Sequence, residues 1–418
     1  MKLNTQILAI ALMLYASLLL QISCEKCYAP TNYRAPTLAA NCSELNNVKV
    51  SEYKPNPNGM IYGAAIQKHC LNPNEHRDIQ KSGLESTVNC ARKNRFNGTY
   101  SYAGMSLNNY EDDLYINSAK FDGNIIEENG ALVYSEDPAK VGAKQGFIAA
   151  TNAPIGDYRK MVNEFKIIDR NNKFEKVSVD CKNFEKVPEK CFSGNFLVGG
   201  KFEKDNTQLA FYKALKANKI SFIVQLTNFA EQPVKDKDLL DCDCKVKADR
   251  YFADKANEDF ILSKHDYSAS TAKVHTKSVD STTYLNTEIR KLEFTDENST
   301  EKYEVTHIHY RAWQDFSVPV GEDQKNLFKI IKFIRDEKVN NKKNTIVHCT
   351  GGIGRTGTFI SAVLTSNLNK DKKFNLVNFI LKLREKRPDL VETDGQVDLI
   401  MANMVETSKS NLAKMKKY

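Results

Sequence analysis

The chain has 418 residues, 41% of them hydrophobic, with 60 basic and 52 acidic side chains and a formal net charge of +8. That length leaves room for two or three average domains, and the apolar content is ample for a buried core. The positive excess is mild and no basic stripe is interleaved with aromatics, which argues against a nucleic-acid surface and suits an acidic partner.

Residues 1–24 read as a secretory signal peptide. Lys2 precedes an apolar run from Ile7 to Leu20, and small residues follow at Ser23 and Cys24. An uncleaved anchor is the alternative, because the run is near the upper length for a leader. No other segment is long enough to cross a bilayer, so no stable span is expected once the leader is removed. Residues 25–80 are rich in Pro and Asn and contain Cys27, Cys42 and Cys70, which predicts an irregular, disulfide-pinned extension. Sequons at Asn41, Asn97 and Asn298 mark candidate glycan sites. Further along, the apolar stretches 221–226 and 305–309 predict strands of a central sheet. Leu327, Ile330, Ile331 and Ile334 repeat at helical spacing, as do Phe359, Ile360, Val363 and Leu364, and then Phe374, Val377, Leu381 and Leu383. Residues 409–418 form a basic tail that reads as a solvated terminus.

The most informative segment is 345–357, which runs Thr-Ile-Val-His-Cys-Thr-Gly-Gly-Ile-Gly-Arg-Thr-Gly. It reads as a short buried strand, a Gly-rich loop and a helix start. Cys349 opens the loop and Arg355 closes it. The backbone N–H groups of Thr350, Gly351, Gly352, Ile353 and Gly354 can converge on one centre beside a positive helix N-terminus, and that geometry binds a phosphate-like dianion. A thiolate at the floor of such a cradle is a nucleophile aimed at phosphorus. The one CxxC pair, Cys24 and Cys27, straddles the expected cleavage point and no clustered histidines accompany the cysteines, so no metal and no other cofactor is expected.

His348, Cys349, Gly352, Arg355, Thr356 and Gly357 together resemble the HCxxGxxR(S/T)G motif of the protein tyrosine phosphatases. Further blocks occur in that family's order. Lys93-Asn94-Arg95-Phe96 is similar to its pocket-wall loop, and Asp113 to Ser118 to its DYINA strand. Phe222 to Thr227, with Glu231 following, resembles IVMLTxxxE. Trp313-Gln314-Asp315-Phe316-Ser317-Val318-Pro319 resembles its mobile WPDFGVP loop, and Arg387-Pro388 through Gln396 resembles RPGMVQTxxQ. The resemblance implies an α/β fold with a central twisted mixed sheet flanked by helices, one catalytic domain over residues 81–408, and a Cys-containing insertion at about 124–195. Two blocks compete for the family's YIATQ strand, 147–151 and 196–200. The later one is preferred on its spacing to Leu226-Thr227.

The resemblance also implies roles. Cys349 attacks phosphorus, Arg355 grips two phosphate oxygens, and Glu231 holds the guanidinium. Asp315 is the general acid and then base, Thr356 bonds the sulfur, and His348 orders the loop. Arg95 and Phe96 wall the pocket, Trp313 hinges the acid loop, and Glu392 and Gln396 face the attacking water. Four positions depart from the pattern: Gln314 for proline, Phe96 for tyrosine, Gly98 for a substrate-anchoring aspartate, and Glu392 for glutamine. With cleavage after Cys24 and Cys349 kept as a free thiol, the remaining eight cysteines could form four disulfides whose pairing stays open. The implied activity is hydrolysis of phosphotyrosine in a protein or peptide by a secreted enzyme. A catalytically weak phosphotyrosine-binding module and a phosphatase for another phosphoester, such as a phosphoinositide, remain alternatives.

Overall fold

A computed structural model describes residues 48–53, 107, 116–142, 145–156, 206–231, 245–262, 272–297 and 299–415. The leader, most of 25–80, every cysteine but Cys349, the three sequons, the block 93–96 with Arg95 and Phe96, Gly98 and the block 196–200 lie outside the described residues. In chain order the strands are β1 (Val48–Lys49), β2 (Ser118–Phe121), β3 (Asn124–Glu128), β4 (Ala131–Ser135), β5 (Ile148–Thr151), β6 (Ile220–Gln225), β7 (Ala230–Glu231), β8 (Lys245–Val246), β9 (Glu258–Ile261), β10 (Lys273–Asp280), β11 (Thr287–Thr295), β12 (Lys302–Tyr310), β13 (Asn344–His348) and β14 (Lys373–Phe374). The helices are α1 (Pro138–Val141), α2 (Gln208–Ala217), α3 (Gly321–Asn340), α4 (Gly354–Thr365), α5 (Leu376–Arg384) and α6 (Asp394–Met415).

One large mixed sheet runs β2-β5-β13-β6-β12-β11-β10-β9. Its centre, β5, β13, β6 and β12, is parallel, and both flanks are antiparallel. Parallel strands covered on both faces need apolar residues at successive positions, and 346–347 and 222–224 supply them. Alternation then sorts the side chains. Ile346, Ile223, Ala149 and Val305 join the core that contains Phe211 and Leu215 of α2. Val347, Val224, Ala150 and Ile308 join the larger core that takes α3, α4, α5 and α6. A second sheet, β1-β14-β4-β3, packs beside that larger core.

The periodic positions of α3 (Leu327, Ile330, Ile331, Ile334) are all buried, as are Phe359, Ile360, Val363 and Leu364 of α4. Several expectations are corrected. The set Phe374, Val377, Leu381, Leu383 spans two elements: Phe374 ends β14, and Asn375 caps α5 by accepting from the Asn378 amide at 2.9 Å. Residues 48–53 are not irregular, because β1 pairs with β14 and Val50 and Tyr53 enter the core. The insertion does not begin near 124. Residues 124–135 form β3 and β4, and Thr151 of β5 pairs with Ser118 on one side and His348 on the other. The earlier block, 147–151, is therefore the strand beside β13. Spacing misled here because β5 ends at Thr151 and α2 starts only at Gln208. The basic tail begins inside a helix, since α6 runs to Met415.

Truncating Ile330 to Ala removes a fully buried side chain from the larger core and is expected to cost about 2–5 kcal/mol. Ile261→Ala, at a position 58% exposed on the edge strand, is expected to stay within about 0.5 kcal/mol. Urea unfolding of the two variants checks this contrast.

Candidate active site

Strand β13 carries His348 to the carboxyl edge of the sheet, and Cys349 follows at the start of the loop. The loop turns back through Gly352, whose φ of +72° is a left-handed conformation that favours glycine. A Cβ there would also overlap the Thr151 carbonyl. The Gly352 N–H points at the Cys349 sulfur from 3.3 Å. Helix α4 then starts at Gly354 without a side-chain cap and with no acidic residue in its first turn. Its free N–H groups and positive dipole end are left to an anion.

Arg387 fixes the loop from outside. Fully buried, it donates to the Gly352 carbonyl at 2.7 Å, the Gly351 carbonyl at 3.0 Å and Asn117 Oδ1 at 2.6 Å. Those carbonyls turn outward, so the N–H groups of the same peptides turn inward. Below the loop, His348 Nδ1 meets the Cys349 carbonyl at 3.0 Å and Nε2 meets the Tyr251 hydroxyl at 2.7 Å. Nδ1–H therefore donates to that carbonyl, and the Tyr251 hydroxyl, which also meets Gln225 Oε1 at 3.2 Å, holds the other ring nitrogen. His307, in contact with Tyr251 and Gln225, and His309, accepted by the Thr227 carbonyl, extend this buried network. Burial, then the charge of Arg290, pushes His307 well below the usual imidazole range and His309 down to about 3.

Arg355 is almost wholly buried. Its Nη1 donates to Glu231 Oε1 at 2.7 Å and the Trp313 carbonyl at 2.8 Å, and its Nη2 reaches Thr350 Oγ1 at 3.2 Å and Asp315 Oδ1 at 3.0 Å. Burial disfavours the charged guanidinium, but Glu231, Asp315 and Cys349 outweigh burial and raise its pKa. Glu231 also accepts from the Thr227 hydroxyl at 2.9 Å and the Asp315 amide at 3.1 Å. One carboxylate thus ties the loop arginine to the acid loop.

The acid loop is closed over this site. Trp313, fully buried, donates its indole N–H to the Ser317 carbonyl at 2.7 Å, and Ser317 bonds the Gln314 carbonyl. Val318 packs against Gly395 at the start of α6. Exposed Gln314 leaves the turn intact without a proline. Asp315 also meets Lys247 Nζ at 2.6 Å. Burial raises the carboxyl pKa, but the charges of Arg355 and Lys247 dominate and hold it below the usual carboxylate range. Opposite, Glu392 and Gln396 approach Gly354 of the anion loop.

The structure brings together His348, Cys349, Thr350, Gly351, Gly352, Ile353, Gly354, Arg355, Glu231, Trp313, Asp315, Glu392 and Gln396. Thr356 does not play its expected part: its hydroxyl is buried with no hydrogen-bond partner among the described residues, the sulfur included. Lys247, Tyr251 and Arg387 were missed as site residues. Arg387 opens the block that resembles RPGMVQTxxQ, whereas Lys247 and Tyr251 follow Cys242 and Cys244 with no periodicity to flag them. Two buried histidines that stay neutral in the fold but protonate when unfolded lose stability as pH falls below about 6.5. Each contributes a slope of about 1.4 kcal/mol per pH unit, so denaturant midpoints should fall steeply between pH 6.5 and 5. His309→Gln should remove one share of that slope.

The family model described as protein-tyrosine phosphatase matches residues 202–406. "Tyrosine-protein phosphatase 2" of Dictyostelium discoideum is 27% identical over 224 residues, which are 51% of this chain and 52% of that protein. "Receptor-type tyrosine-protein phosphatase epsilon" of Rattus norvegicus is 31% identical over 106 residues, 24% of this chain and 14% of that protein. "Receptor-type tyrosine-protein phosphatase C" of Homo sapiens is 34% identical over 104 residues, 25% of this chain and 8% of that protein. The match therefore spans about half the length of the first of these relatives and far less of the receptor types.

Proposed function

Residues 202–406 form a protein-tyrosine phosphatase domain, and from this premise we propose that the chain hydrolyses phosphotyrosine in proteins or peptides through a cysteinyl-phosphate. The observation that carries this reading is the buried clamp of Glu231, Arg355 and Asp315 above the Cys349 loop. The Cys349 thiolate attacks phosphorus and the P–O bond to the phenol breaks. The leaving oxygen takes the proton of the Asp315 carboxyl. Water then attacks phosphorus, its proton passes to Asp315, and the S–P bond breaks to release phosphate and the thiolate. Arg355 and the loop N–H groups hold the three equatorial oxygens throughout.

Asp315 lies ionised between two cations at rest, which is the wrong form for an acid. A bound dianion corrects this. It takes over the Arg355 N–H groups and sets negative charge beside Asp315, and both changes raise the affinity of the carboxylate for a proton. His348 and Arg387 would then act by orienting the loop, and Gln396 by facing the site where water enters.

Hydrolysis of a phosphotyrosyl peptide is expected, abolished by Cys349→Ser and lowered roughly 10²- to 10⁴-fold in kcat by Asp315→Asn. Peptide binding without turnover in the wild type would instead favour the binding module, and faster release of phosphate from phosphoinositides than from the peptide would favour the lipid reading. Among the described residues no helix is long and apolar enough to cross a membrane. We further infer secretion, from the run Ile7 to Leu20 behind Lys2 and the ten cysteines. Protein collected from the medium of a secreting host should begin after Cys24 by N-terminal sequencing. Retention with an intact N-terminus would sink that inference.

A further inference from the structure

The segment 390–396 lies directly on the anion loop. Val391 N–H donates to the Ile353 carbonyl at 3.4 Å. A Cβ on Gly354 would collide with the Glu392 carboxylate and lie 3.1 Å from Gln396 Nε2. The Gln396 carbonyl oxygen is already engaged, accepting from the Glu392 amide at 2.8 Å and the Thr393 amide at 3.4 Å. The amide orientation follows, and the Gln396 NH2 must face the loop, where it is buried without a hydrogen-bond partner among the described residues. A donor with nothing to donate to, beside a carboxyl pressed on a phosphate cradle, is an arrangement awaiting an acceptor.

The charges around Glu392 come from four directions. Asp315 faces it from the acid loop, Arg355 from α4, Asp389 from its own segment and Arg384 from the end of α5. The Arg384 guanidinium is committed to the Leu390 and Val391 carbonyls at 2.8 and 2.7 Å, and Arg355 is shared with Glu231 and Asp315. Burial, then Asp315 and Asp389, pushes the Glu392 carboxyl up to about 7 against the pull of both arginines. Near neutral pH one proton on Glu392 is therefore cheap to add. An incoming dianion makes it cheaper, because an ionised carboxylate in this buried corner would face two more negative charges.

We propose that Glu392 is a proton-carrying residue of the anion site: it takes one proton from solvent as a dianion enters the loop and, as a neutral acid, turns an O–H donor toward that anion beside the Gln396 amide. This rests on reading the loop as a phosphoryl site. It leaves the proton of the attacking water to Asp315. A glutamine at 392 would present its donor at every pH. The glutamic acid presents one only below its own titration, so the affinity of this chain for phosphoryl oxygens is tied to pH.

Tungstate, used dilute enough to remain the monomeric dianion, is the probe. Its binding to the full chain is measured by calorimetry from pH 5.5 to 8.5 in two buffers of different ionisation enthalpy. Above about pH 7 wild type should weaken by up to about tenfold per pH unit more than Glu392→Gln does. It should also take up close to one proton more than Glu392→Gln near pH 8. The glutamine variant should lack that additional loss of affinity. Equal pH slopes and equal proton uptake in the two proteins would overturn the role of Glu392 while leaving the phosphatase reading standing. If neither protein binds tungstate, both fall together. Should Glu392→Gln fail to fold, wild type decides alone, since the absence of proton uptake between pH 7 and 8.5 would overturn the proposal.

Discussion

A guanidinium with no exposed surface cannot stand in a protein core without a countercharge, and the site is organised by how Arg355 obtains one. Glu231 supplies it at 2.7 Å. Breaking such a pair strands the remaining charge at a cost of about 3–5 kcal/mol, so the two side chains hold their elements in register. Arg355 sits in the first turn of α4 and Glu231 on the short strand β7. Their contact draws the segment after β6 onto the anion loop. The second Glu231 oxygen then takes the Asp315 amide, which brings the acid loop into the same assembly.

The sheet explains why these parts meet. Strands β5, β13, β6 and β12 are parallel, so their carboxyl ends share one edge, where ligands of open α/β sheets bind. Cys349 follows β13, Glu231 follows β6 and Trp313 follows β12. Thr151 at the end of β5 packs against Gly352 so closely that no side chain fits between them. Each of these groups is thus delivered by a neighbouring strand of one sheet. The loop peptides are oriented by Arg387 and by the His348–Tyr251 pair.

Much of this was legible in the chain because it is local. The cysteine, glycines and arginine of 349–355 lie within one turn and one helix start, and the helical faces of α3 and α4 repeat at the period that burial demands. What escaped is nonlocal or lies at a break in spacing. Lys247 reaches Asp315 across 68 positions, and no pattern around it hints at that partner. The Tyr251 hydroxyl meets His348 from 97 positions away. The two blocks able to supply the strand beside β13 could not be separated by composition. Register with Ser118 and His348 separates them in favour of 147–151, while residues 196–200 lie outside the described residues. Thr356 was assigned a bond to sulfur from its place in the motif, but hydroxyl direction depends on the rotamer within a fully buried helix, and a motif does not specify that.

The cations of the site are engaged by the protein's own carboxylates. Asp315 lies 3.0 Å from the Arg355 Nη2 that a phosphoryl oxygen would use, and Glu392 presses on the Gly354 end of the loop. Both groups must change their relation to charge before chemistry proceeds, and they start from opposite ends. Two cations hold Asp315 below the usual range, whereas burial and like charges hold Glu392 above it. The dianion acts on both in the same direction, toward protonation. For Asp315 that offsets the pull of Arg355 and Lys247. For Glu392 it removes a repulsion that the amide of a glutamine would never have imposed. The single substitution at 392 therefore adds a proton to the equilibrium of anion binding without altering the loop that performs it.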